Sequence, residues 1–337
     1  MLMLVVRDLQ YRKMRVLVIA VLVSIVVTLL FVMTGLVNQF NREPVLAAER
    51  AGGEHNWLVA ETSTGPLTSA SAAPDGALDG VAGAEPMLIG MANVNGERAT
   101  VIGRADVIDE PALTEGRYPS ASGEVLIDEV SGFAIGQEID FAGSRATVVG
   151  LTSDATVLAG VPLAFTQLDY AQEVLVGGRS VVTGALVAGT PENIPAGMKL
   201  MTPEEVGADG LVPLLNAISS VDLVRALLWL ITLIIIAAVI FITAIERTRD
   251  FAVLKAVGAK DRSLALSLIV QGVIITLLAA ALAAILQVFI APLFPMTIRV
   301  PAKAFWQIPL GGVIVALLAG IAGARRVANT PAAEAFE

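Results

Sequence analysis

The residues best spaced to do chemistry lie between the second and third apolar stretches, in Glu246-Arg-Thr-Arg-Asp-Phe-Ala-Val-Leu-Lys-Ala-Val-Gly258. Asp250 can cap a short helix on which Phe251, Leu254 and Val257 recur at a spacing of three, and Gly258 supplies a left-handed stop. Lys255, Lys260 and Arg262 flank it. The chemistry on offer is docking, because a brief amphipathic helix needs an apolar surface to meet. A groove on a soluble partner or the surface of a bilayer would serve. Bond-making chemistry has little to work with. The chain has no cysteine and one histidine, His55, which excludes thiolate catalysis, Cys-ligated metals and a His pair. It contains no Gly-x-Ser-x-Gly elbow and no Gly-x₄-Gly-Lys-Ser/Thr phosphate loop; Gly258-Ala-Lys260 lacks both the first glycine and the hydroxyl residue. Work driven by ATP would need its ATPase on another polypeptide.

Four apolar stretches must position this loop: Val16–Val37, Leu223–Ile245, Leu264–Ile290 and Ile308–Gly323. Each exceeds or approaches the ~20 residues that a helix needs to cross a bilayer. With 55% apolar residues and a mean hydropathy of +0.76, the chain belongs among membrane proteins. Arg7, Arg12, Lys13 and Arg15 precede the first stretch, and Arg325-Arg326 follow the fourth. Residues 41–220 carry 24 acidic and 8 basic side chains, a net of −16, while the remainder sums to +7. Short cationic loops stay cytoplasmic and long domains cross regardless of charge. Both termini are therefore expected inside.

The expected organisation is a cytoplasmic amphipathic leader at 1–15, span 1 at 16–40, an extracytoplasmic mixed α+β domain at 41–220 and span 2 at 221–245. A cytoplasmic coupling loop follows at 246–263, then span 3 at 264–291, a short external loop at 292–305, span 4 at 306–324 and a cytoplasmic tail at 325–337. The first stretch is longer than a signal-peptide core, so it reads as a retained anchor. Its helix is expected to continue outside the bilayer as far as Arg50. No ionisable side chain occupies the middle of a span, which argues against an ion-coupled carrier.

Within 41–220, the segments 123–129 and 137–141 read as strands, and 146–150 closes a hairpin through a turn at 142–144. Residues 62–84 read as loops, and Leu175–Val187 as a further strand. Thr202 reads as the N-cap of a helix with Pro203 at its first position. Gly311, Gly312, Gly320 and Gly323 would permit close helix contact in span 4.

The stretch Glu246-Arg-x-Arg-Asp-x-Ala-Val-Leu-Lys-Ala-Val-Gly-Ala259 resembles the loop after the second span of MacB/FtsX-type ABC transporter permeases. The segment Ala324-Arg-Arg-Val-Ala-Asn-Thr-Pro-Ala-Ala-Glu-Ala335 is similar to that family's closing segment. Element order and length agree too, so the resemblance covers the whole chain. It implies a non-catalytic membrane subunit, paired as a homodimer, working with a separate ABC ATPase in a bacterial plasma membrane. It makes Glu246, Arg249, Asp250, Phe251, Leu254, Lys255 and Gly258 the residues that meet the ATPase. ATP would be held by that partner, with the lipid bilayer as the other partner and no nucleic acid involved.

Shorter segments, Gly35-Leu-x₄-Asn-Arg-Glu43, Leu113-Thr-Glu-Gly-Arg-Tyr-Pro119 and Phe294-Pro-Met-Thr297, resemble the haem-efflux (HrtB-type) permeases of the same family. The resemblance implies haem as the substrate: an apolar disc with two carboxylates and an iron that takes N, S or O ligands. Met33, Leu36 and Phe40 fall on one face of span 1 with Asn38 and Arg42 just above, an apolar slot with an arginine rim. Glu43, Glu49 and His55 are donors further out, and Glu49, Met33 or His55 is the candidate iron ligand. The same Met/Leu/Phe stripe also fits helix packing. DevC-type components of larger envelope exporters share the architecture. A mechanotransmitting permease that controls an envelope protein is the alternative reading.

Overall fold

The computed structural model describes residues 13–68, 71–74, 76–78, 80–105, 112–246, 253, 261–294 and 296–328. The chain divides into two compact units. One, a helical unit, comprises Met1–Asn38, Ser219–Phe294 and Ile298–Glu337; the other, a sheet unit, comprises Gln39–Ile218 with Pro295–Thr297.

Helix α1 (Lys13–Gly52) supplies residues to both units and runs two positions past the expected end at Arg50. The sheet unit then lays down β1 (Asn56–Ala60), β2 (Glu85–Val94), β3 (Glu97–Arg104), β4 (Leu113–Gly116), β5 (Glu124–Asp128) and β6 (Glu138–Phe141). It continues with β7 (Ser144–Thr152), β8 (Thr156–Val157), β9 (Val161–Gln167), α2 (Leu168–Val176), β10 (Gly184–Val187), β11 (Met198–Met201) and α3 (Pro203–Leu211). The strands join in one mixed sheet of order β11-β1-β10-β2-β3-β9-β5-β7-β4. The β3/β9 and β5/β7 pairs are parallel.

Alternation along the strands decides which side chains go to which face. Met87, Ile89, Ile102, Leu126 and Phe165 pack on one side with Trp57, with Ala47, Ala48 and Ala51 of α1, and with Val206 of α3. Their neighbours Leu88, Val101, Val125, Ile127 and Ala164 face the other side with Tyr170 and Ala171 of α2. The β2–β3 hairpin turns through Asn95 (φ 49°) and Gly96 (φ 89°), the left-handed pair that a tight two-residue turn requires. At Thr202 the expected cap forms in full: its hydroxyl accepts from the Glu205 amide, and the Glu205 carboxylate accepts from the Thr202 amide.

One expectation fails. Leu175–Val187 is not a strand: α2 occupies its start and ends at Gly177 (φ 67°), and only Gly184–Val187 pairs, in β10. Leu175 and Val176, the apolar start of that expected strand, complete a helix begun at Leu168. Tyr170 and Ala171 of that helix are buried against the sheet.

The helical unit combines α1 up to Asn38 with α4 (Leu215–Glu246), α5 (Asp261–Ile290) and α6 (Ala304–Ala328). Among the described residues, four helices are long and apolar enough to cross a membrane. Their shared core holds Val27, Leu30, Phe31, Ile236, Ile240, Ala279, Ala283, Ile308 and Ala316. Phe31 and Phe305 pack with centroids 5.2 Å apart. Glycines mark the close approaches, as expected for Gly311, Gly312 and Gly320. A Cβ on these would stand within 2.7 Å of Trp229, Thr276 and Ile269, respectively. Gly35 lies similarly under Ile298 and Val300 of the α5–α6 connection, and the Asn38 amide donates to the Arg299 carbonyl at 3.0 Å.

In the sheet unit Arg117 clamps Glu124, which also accepts from the Ser120 and Ala121 amides. The Arg117 hydrogen bond, chiefly, pulls the Glu124 carboxyl from 4.5 down to about 2. A depressed carboxyl stabilises the fold fully above its unfolded value, and that contribution is lost as pH falls through about 2. The pair is near the surface, so the stabilisation is small. Arg117→Ala should return the Glu124 titration to the ordinary carboxylate range, read by NMR of the side-chain carboxyl. An unchanged titration would show that Arg117 is not the cause.

Candidate functional site

The residues expected to form a slot leave α1 in several directions. Met33 and Asn38 are half-buried in the helical unit, and Asn38 is engaged with the Arg299 carbonyl. Phe40 is 7% exposed and so offers no open wall to a ligand. Arg42 and Glu49 are exposed. His55 is exposed beyond the helix end, with Nδ1 3.1 Å from the Gly52 carbonyl. Glu43 and Glu49 are six residues apart, which puts them on different sides of a helix that turns ~100° per residue. Met33 and Asn38 belong to the helical unit and the other five residues to the sheet unit.

Glu43 corrects the sequence reading most sharply. It was expected as an outward oxygen donor and is instead 1% exposed, with both oxygens occupied. Oε1 accepts from the Thr156 hydroxyl (2.7 Å) and the Gly160 amide (2.7 Å), and Oε2 accepts from the Ala159 amide (2.9 Å). The gripped turn has left-handed backbone at Leu158 (φ 49°), Ala159 (φ 69°) and Gly160 (φ 104°). Two non-glycine residues in that region persist only where their surroundings impose it. Asp128 holds the same turn from its other end, accepting from the Ala155 amide at 2.7 Å and from Val130 at 2.9 Å. Burial pushes the Asp128 carboxyl up from its ordinary value. Glu43 is therefore a clamp within the sheet unit. Its donors come from more than 110 residues further along the chain, so no local pattern could have announced it.

Of the docking residues, Glu246 is exposed as the last residue of α4. Arg249, Asp250, Phe251, Leu254, Lys255 and Gly258 lie outside the described residues, as do most of the leader and the last residues of the tail. Among the described residues no group of three or more His, Asp or Glu is placed to hold a metal.

The helical unit contains a cavity of about 330 Å³ between α1, α4 and α6. Thr34, Asp222, Arg225, Trp229, Gln307 and Ile308 line it. Arg225 and Asp222, one turn apart on α4, form an ion pair at 2.7 Å. The Thr34 hydroxyl is spent on the Leu30 carbonyl, and the Trp229 ring lies against Gly311. Asp222 and Arg225 are not among the site residues expected from the sequence. The available signal was their spacing of three within Val221-Asp-Leu-Val-Arg-Ala-Leu227, where an apolar residue follows each charge.

Glu43→Ala should strand the Thr156, Ala159 and Gly160 donors at a cost of ~1–3 kcal/mol. Hydrogen exchange at the amides of 159 and 160 should accelerate accordingly, with Glu43→Gln intermediate because its carbonyl still accepts. Unchanged exchange in Glu43→Ala would show that the clamp does not hold the turn.

Comparison with known proteins places this arrangement. The FtsX-like permease C-terminal family matches residues 223–332, which include α5, α6 and the segment 246–258. An ABC transporter permease of Mycobacterium tuberculosis H37Rv is 32% identical over 350 residues, covering 100% of this chain and 99% of that protein. A Mycobacterium bovis ABC transporter permease is 31% identical over 349 residues, covering 100% and 99%. A protein named hemin transport system permease protein HrtB, from Staphylococcus epidermidis, is 23% identical over 212 residues, 60% of each chain. The extracellular domain of the ABC-type transporter YknZ from Gram-positive bacteria aligns with 48% of this chain and 92% of its own length. That alignment has 13% identity and a TM-score of 0.29. With near-complete coverage at 32% identity, four apolar helices and a sheet unit between the first two, the chain belongs to the FtsX/MacB-type ABC transporter permeases.

Proposed function

We propose that this permease is the membrane half of an efflux transporter that expels an amphiphile, haem, from the outer leaflet. A separate ATPase subunit supplies the energy. The observation that carries the reading is the similarity, over 60% of the chain, to a protein named for hemin transport. Composition supports it: the middle of each span lacks charge, as suits a substrate that reaches its site through lipid rather than through an aqueous channel.

In this mechanism two copies of the chain face each other as a homodimer, with both termini and the 246–263 loop in the cytoplasm. In this reading the segment 250–258 seats Phe251 and Leu254 in the ATPase, and Glu246, Arg249 and Lys255 pair with charges around that groove. ATP-driven closure of the ATPase moves the loop and brings spans 1 and 2 of the two copies together, which displaces the bound amphiphile outward. Met33 and Arg42 remain available to touch porphyrin and propionate, and Glu49, His55 or Met33 to ligate iron. Glu43 and Phe40 are withdrawn from that role by their burial.

The test is the absorbance of haem added to the purified permease, together with haem-stimulated ATP hydrolysis by the complex with its ATPase. A shifted Soret band and stimulated hydrolysis are expected, and Phe251→Asp should abolish the stimulation while leaving the band in place. Absence of the band would remove haem as the substrate and favour a mechanotransmitting role.

A further inference from the structure

The Asp222–Arg225 pair sits in unusual company. Leu223, Val224 and Leu227 on the same helix are exposed, Leu223 by 63%, an apolar surface outside the core of this chain. Exposed Phe289 and Trp306, at the end of α5 and the start of α6, have the composition of the aromatic belt found where hydrocarbon meets headgroups. Gln307 is the next residue after Trp306 and lines the cavity, so the cavity lies at headgroup level. Charged side chains at that level reach water and headgroups, and Arg225 and Asp222 are 33% and 43% exposed.

Arg225 has donors to offer there. Arginine carries five N–H donors, and the contact with Asp222 joins one nitrogen to one oxygen. The guanidinium keeps an edge with two parallel N–H groups, the geometry that grips carboxylate or phosphate. Among the described residues no side-chain hydrogen bond engages the exposed Gln307 carboxamide or the Trp229 indole N–H, and the buried Oδ1 of Asp222 accepts none either. The Arg225, Gln307 and Trp229 donors therefore line a space that also holds the unbonded Asp222 Oδ1 and whose remaining walls, Ala226, Ala304 and Ile308, are apolar. A volume of about 330 Å³ takes a headgroup and the first part of a tail.

We propose that the anionic headgroup of an amphiphile binds between α1, α4 and α6, with Arg225 holding its carboxylate or phosphate and Gln307 donating a second hydrogen bond. Its role as a substrate subsite rests on the amphiphile-efflux reading. The Asp222 carboxylate competes for the same guanidinium, so it sets the affinity low enough for release.

The full-length permease in phosphatidylcholine nanodiscs, in a Trp306→Phe background, reports binding through contact quenching of Trp229. The probes are 9,10-dibromostearate, its methyl ester and inorganic phosphate. The acid should quench saturably and at least tenfold more tightly than the ester. Arg225→Gln should erase that difference while leaving the ester unchanged. Asp222→Asn should tighten acid binding severalfold, a gain that a misfolded variant cannot mimic. Equal quenching by acid and ester, or acid binding untouched by Arg225→Gln, would overturn the proposal. So would Asp222→Asn binding the acid no better than the parent. Displacement of the acid by millimolar phosphate would overturn the amphiphile and leave a free-anion site. None of these readouts uses haem or the ATPase, so a missing Soret band would sink the haem reading alone.

Discussion

A peptide group inside hydrocarbon has no water to bond, and that constraint shapes the helical unit. Backbone donors and acceptors must be paired within each span, which leaves helices as the form available to four separate apolar stretches. Side-chain hydroxyls obey the same rule. Thr28, Thr232, Thr243 and Thr276 each donate to the carbonyl four residues earlier, so these polar atoms cost little where they are buried. With polarity settled inside each helix, contact between helices is left to shape. Glycines in α6 receive Trp229, Thr276 and Ile269, and small alanines of α5 fill the centre. Helix association in lipid works through this kind of close fit, since hydrocarbon tails are as apolar as leucine.

The sheet unit solves the opposite problem. Water surrounds it, so burial of alternating side chains on two faces of the sheet stabilises it, with α1 and α3 on one side and α2 on the other. Here buried charge is tolerated where it is fully engaged. Arg104 meets Glu85 through two hydrogen bonds and the Ala51 carbonyl through a third, and Glu43 satisfies three donors of one turn. Both interactions tie the last turns of α1 to strands and turns far along the chain. The end of a helix that begins as a membrane span is thereby made part of a soluble core.

What could be read from the residues alone followed from period and charge. Apolar length located the spans, turn chemistry located the β6–β7 hairpin, and Thr202-Pro-Glu-Glu205 gave its helix start. Leu175–Val187 misled because a short apolar run has no period long enough to separate helix from strand. The Asn95-Gly96 turn, a strong local signal, joins the longest strand pair of the sheet. The site was far less legible. The clamp at Glu43 depends on amides over a hundred residues away, and the cavity at Arg225 depends on three helices meeting. Neither leaves a trace in local spacing. A stripe such as Met33, Leu36 and Phe40 can be read as a slot or as packing, and only the fold shows that Phe40 packs.

Gly35 shows how little room the helical unit leaves. A Cβ there would stand 2.6 Å from Ile298 and 3.0 Å from Val300, so even one methyl group would wedge the α5–α6 joint away from the first span. A genetic screen for lost activity that returned substitutions at this residue would be reporting a sprung hairpin. It would say nothing about which cargo the transporter prefers.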